Sequence, residues 1–83
     1  MPRYRVLADP LQFDYMTTQK AVQELIRIDP EAEPSYEFAE GKPTYFKLIA
    51  SSRGIAQRQV EEAARKAGVT DPSAVGGAEA EEV

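Results

Sequence analysis

The chain has 83 residues and a formal net charge of −4, and it contains neither His nor Cys. That length makes one domain with a thin core. The composition excludes disulfide staples, ordinary zinc sites and any mechanism that runs through imidazole or thiolate.

The charges divide unevenly. Residues 1–66 hold all ten Lys and Arg side chains, and they hold ten of the acids as well. Beyond Lys66 the only charges are Asp71, Glu79, Glu81 and Glu82, so the whole net charge falls in the last stretch. Within the body, Glu24, Asp29, Glu31, Glu33, Glu37 and Glu40 precede a basic group made of Arg53, Arg58, Arg65 and Lys66. Such bipolarity suits orientation against a partner better than general attraction to nucleic acid.

In chain order, Arg3–Ala8 alternates and is rich in β-formers, which predicts a strand stopped at Asp9-Pro10. Leu11, Phe13 and Tyr15 alternate with polar residues and read as an extension or partner of that strand. A helix follows, capped by Thr17 or Thr18, with Ala21, Val22, Leu25, Ile26 and Ile28 as its apolar stripe. Asp29-Pro30 ends it, and the acidic, proline-bearing run to Pro34 makes a stiff connection.

Residues 35–52 admit two readings. The aromatic and β-branched content favours a hairpin with strands at Tyr36–Phe38 and Thr44–Ala50 around a turn at 40–43. The alternative starts a helix at Pro43, where a missing N–H is harmless. From Ile55, the residues Ala56, Val60, Ala63, Ala64 and Ala67 recur at helical spacing. Gly68 supplies the left-handed stop, with Val69 placed to pack back over the last turn.

The predicted fold is therefore α+β: a small antiparallel sheet, made of the N-terminal strand plus the hairpin, packed against two helices. This body covers residues 1–70. Residues 71–83, with Gly76-Gly77 and few large apolar side chains, read as a disordered acidic tail.

Three function classes follow. Catalysis is not expected: Ser51 and Ser52 have no imidazole to activate them, and the carboxylates lack calcium-loop spacing. No metal, cofactor or small-molecule substrate is predicted. The second class is a DNA-binding regulator. Ala50–Val60 has the small residue, glycine and apolar spacing of a helix-turn-helix, with residues 46–65 forming the unit. Arg53, Gln57, Arg58 and Gln59 would then meet the base edges, Gln and Arg being the types that pair bidentately with adenine and guanine. Arg53 stands where an apolar residue belongs, Glu61 and Glu62 would face phosphates, and the body carries no excess positive charge.

The third class, a protein-interaction module, is preferred. A body this small without disulfide or metal gains its missing stability from a partner or a second copy. Tyr36, Phe38, Tyr45 and Phe46 are the predicted partner-binding residues, because a hairpin cannot turn all four inward. The alanine face of the last helix is expected to share in that contact. No run approaches the ~18 apolar residues of a membrane span, and the opening residues carry no secretory pattern, so the cytoplasm is the expected location.

The opening Arg3-Tyr4-Arg5-Val6-Leu7-Ala8-Asp9 resembles the start of small proteins encoded among the virion genes of tailed phages of actinobacteria. The Ala/Gly/Glu-rich end is similar in character. The resemblance implies an accessory or structural subunit of a larger assembly, placed in a virion if phage-encoded. After Asp9 the pattern departs, with a helix in place of a glycine-containing turn.

Overall fold

The structure, a computed structural model, describes residues 1–81. Strand β1 (Arg3–Ala8) leads to helix α1 (Tyr15–Ile28), strands β2 (Ser35–Glu37) and β3 (Thr44–Ile49), helix α2 (Arg53–Lys66) and strand β4 (Val75–Ala80). Short 3₁₀ turns at Pro30–Ala32 and Pro72–Ala74 link α1 to β2 and α2 to β4. The sheet order is β2-β3-β1-β4, antiparallel throughout. β1 and β2 are thus parallel with β3 between them, and β3 and β4 are parallel with β1 between them. This is the split βαβ arrangement of ferredoxin-like folds. The α+β fold with its sheet against two helices is the one expected, and the hairpin reading of residues 35–50 holds.

One face of the sheet is the core. Tyr4, Val6 and Ala8 of β1 and Thr44, Phe46 and Leu48 of β3 are buried at alternate positions, as a half-covered antiparallel sheet requires. Against them lie Ala21 and Leu25 of α1 and Ala56, Val60, Ala63 and Ala64 of α2. Small side chains on α2 let it sit close to β4 and to α1, its main neighbours. The alanine face is therefore interior and cannot join an outer contact. Phe13 is also interior, edge-on to Phe46 with ring centroids 5.4 Å apart.

The helix ends follow local chemistry. Asp14, not Thr17 or Thr18, caps α1: its carboxylate accepts from the Thr17 N–H at 2.8 Å. This cap rules out the strand read into 11–16: residues 11–14 form the turn before the helix, and Tyr15 and Met16 are its first residues. Ser52 caps α2, which begins at Arg53, two residues before the expected start at Ile55, and its hydroxyl accepts from the Ile55 N–H at 3.2 Å. At the other end Gly68 takes a φ of 100°, and the Val69 N–H donates to the Ala64 carbonyl at 2.9 Å. That six-to-one bond marks a Schellman stop, and Val69 is buried over it as predicted.

Residues 75–80 depart from the disorder expected of the acidic tail. They pair with β1, Arg5 opposite Glu79 and Val6 opposite Ala78. The pairing has a reason that hydropathy misses. Val75 and Ala74 are buried, and the backbone ladder is reinforced by ion pairs to Glu79 and Glu81. Gly76 and Gly77 together oppose Leu7, forming a bulge. A Cβ on Gly76 would lie 3.3 Å from the Leu7 Cβ and carbonyl oxygen, so a glycine suits the close approach. The described part of the tail thus belongs to the domain; Glu82 and Val83 lie outside the described residues. Among the described residues no helix is long and apolar enough to cross a membrane, and no group of three or more His, Cys, Asp or Glu could hold a metal ion.

Candidate functional site

The face of the sheet away from the helices is a charge ladder. Its central strands present Arg3, Arg5 and Lys47, its outer strands present Glu37 and Glu79, and Glu81 follows directly after β4. Arg3 Nε lies 2.9 Å from a Glu81 carboxylate oxygen, and Lys47 Nζ lies 3.4 Å from the other oxygen and 3.5 Å from Glu37. Arg5 reaches Glu79 at 3.4 Å and stands over the Tyr45 ring, 5.2 Å from its centroid. Acids on both sides of the cations leave this face with no surplus positive charge for a phosphate backbone.

The apolar surface lies at one end of the sheet, around the loop 38–43 that joins β2 to β3. Leu11 is 92% exposed, Met16 71%, Tyr15 49% and Leu7 40%. Tyr15 and Leu7 line depressions beside that loop, Leu11 follows Pro10 and Met16 follows Tyr15 in the chain, and Met1 and Ile26 are the other exposed large apolar side chains among the described residues. Three depressions surround the loop. One, of about 400 Å³, is lined by Glu37, Phe38, Ala39, Lys42, Pro43 and Tyr45. A second, of about 390 Å³, lies on the α1 side and includes Pro10, Asp14, Tyr15, Phe38 and Glu40. A third, of about 180 Å³, includes Leu7, Pro10, Pro43 and Gly76.

This end is braced rather than loose. The Leu11 N–H donates to Asp9 Oδ1 at 3.0 Å, and the Gln12 amide nitrogen donates to Asp9 at 3.2 Å and to Asp71 at 3.0 Å. The turn that holds Leu11 outward is thereby tied to the segment preceding β4. Tyr15 packs edge-on against Phe38 and Tyr36, with centroids 5.6 and 6.4 Å away. Its hydroxyl accepts from Gln19 at 3.0 Å, and the neighbouring Tyr36 hydroxyl raises its pKa above the ordinary tyrosine value. Hydrogen bonds from Thr17 hold the Asp14 carboxyl below the ordinary aspartate range, and those from Ser73 and Gln12 do the same for Asp71.

The four aromatics expected to bind a partner do not share one surface. Phe46 is wholly buried, because its alternation with Tyr45 and Lys47 turns it to the helices. Tyr36, opposite it in the register, is half-buried on the same side. Phe38 sits at the apolar end and Tyr45 on the open face, and the two line one depression. Leu11, Tyr15 and Met16 were not predicted for this surface. Their signal in sequence was the Asp9-Pro10 turn ahead of an Asp cap, which breaks the alternation read through them.

The helix-turn-helix does not form. Residues 44–49 are a strand, so Ala50–Val60 is a strand-to-helix junction with no preceding helix. Arg53 and Arg58 are exposed, while Gln57 and Gln59 are half-buried at either side of α2, Gln57 donating to Glu61 at 3.0 Å. Successive residues of a helix point about 100° apart, so Gln57, Arg58 and Gln59 present no common face.

No family model matches this chain, and no curated protein or solved structure shows significant similarity to it. The split βαβ arrangement hosts many unrelated activities, so the surface alone must carry the functional argument.

Proposed function

We propose that this chain is a non-catalytic protein-interaction domain, an accessory or structural subunit of a larger assembly, that docks through the apolar end around residues 38–43. The observation that carries this reading is exposed Tyr15 packed edge-on against Phe38, with exposed Leu11 on the braced turn before α1, exposed Met16 next to Tyr15 in the first turn of α1, and Leu7 lining a depression with Pro10 and Pro43. Exposed apolar side chains scattered singly are ordinary, whereas a contiguous patch rimmed by polar groups is typical of a partner site. Rigid presentation favours binding because less side-chain and loop freedom is lost on contact.

The small core supports the same reading. Among the described residues seventeen hydrophobic residues are buried, but eight of them are alanines, so few large side chains share the stabilisation. Partner binding adds to it by mass action. Replacing both Leu11 and Met16 by Ser tests the proposal. Both are exposed, so melting should be unchanged, while capture of partners from the native host should be lost. Equal capture by the wild type and the double variant would contradict it.

A further inference from the structure

We propose that the partner segment taken by the two larger depressions is extended, proline-rich and basic. This rests on the docking reading above and specifies its occupant. The depressions are neighbours, because Phe38, Ala39 and Lys42 line both. Their walls are aromatic rings and prolines: Tyr45 and Pro43 on one side of Phe38, Tyr15 and Pro10 on the other. Shallow aromatic-lined sockets set side by side suit a polyproline II segment. That helix is already extended, has no internal hydrogen bonds, and repeats every three residues, so successive apolar units can enter neighbouring sockets.

The charges select its sign. Glu37 lines one depression and Asp14 and Glu40 line the other, against the single base Lys42. Glu40 is exposed and has no ion-pair partner among the described residues. An arginine or lysine beside the prolines would meet it. The solvated carbonyls of a polyproline segment need donors, and the phenols at the two sockets, Tyr15 and Tyr45, are of the type that supplies them.

The test uses the full chain labelled for amide NMR and three short peptides with the repeats Arg-Pro-Pro-Leu, Arg-Ala-Ala-Leu and Glu-Pro-Pro-Leu. The first should shift the amides of Tyr15, Phe38, Ala39, Gly41 and Tyr45, and the other two should bind about tenfold more weakly or less. Glu40→Lys, at an exposed position, should weaken the first peptide by a similar factor while leaving the free spectrum folded. Equal binding of the alanine and proline peptides, or no shift with any peptide, would overturn the proposal. So would shifts of the same amides on concentrating the protein alone, which would assign the sockets to a second copy. Each of those failures is distinct from failure of the docking surface, which substitution of Leu11 and Met16 probes separately.

Discussion

Arg3 and Glu81 face each other across the outer pair of strands, with Arg3 Nε 2.9 Å from the carboxylate and the Glu81 N–H donating to the Arg3 carbonyl at 3.0 Å. Side chain and backbone therefore fasten the same two residues, and Lys47 joins them from β3. The pair is partly exposed, at 39% and 20% of the two side chains, so its contribution is small.

Glu81→Gln should accordingly cost about 0.5–1 kcal/mol at low salt and lower hydrogen-exchange protection in β4 before other strands. The loss should shrink as salt rises, because exposed pairs are screened. Unchanged β4 protection at low salt would show that the ladder alone holds the strand.

The interior gives a sharper contrast. Val60 of α2 is fully buried in the core, whereas Arg58, two residues earlier, is exposed. Val60→Asp should remove several kcal/mol of stability, since it buries an unpaired carboxylate. Arg58→Ala should fall within about 0.5 kcal/mol of the wild type. Thermal melts showing equal losses would mean the helical face is wrongly assigned.

Much of this was legible in sequence, and the failures have physical causes. β1, the hairpin and the end of α2 follow from alternation, aromatic content and Gly68. β4 was missed because its stabilisation is relational. Glu79 and Glu81 repeat at the spacing of Arg3 and Arg5, a match invisible to a window that reads the last residues alone. Leu11, Phe13 and Tyr15 misled for another reason: their alternation has the period of a strand, but the Asp9 turn and the Asp14 cap set their directions individually. The same local geometry decides the surface, turning Phe13 inward and Leu11 outward.

Asp14 and Asp71 make stability fall in acid. Both pKa values lie below the ordinary aspartate value, Asp14 through hydrogen bonds from Thr17 and Asp71 through those from Ser73 and Gln12. A depressed folded-state pKa adds stability that is present above the unfolded value of about 3.9 and is lost as pH falls through the folded value. Melting temperature should therefore drop on acidification below about pH 4. In Asp14→Asn/Asp71→Asn the drop should be shallower, from a lower starting point at neutral pH. An identical acid profile in that double variant would exclude these two caps as its source.

The docking surface itself is tested most directly by placing a photo-crosslinking amino acid at Met16 in one protein and at Arg58 in another, both positions being exposed and on different parts of the molecule. After irradiation in the native host, the probe at 16 should yield a discrete adduct with another protein chain, and the probe at 58 should yield none. No adduct at 16, or the same adducts at both positions, would contradict docking through the apolar end.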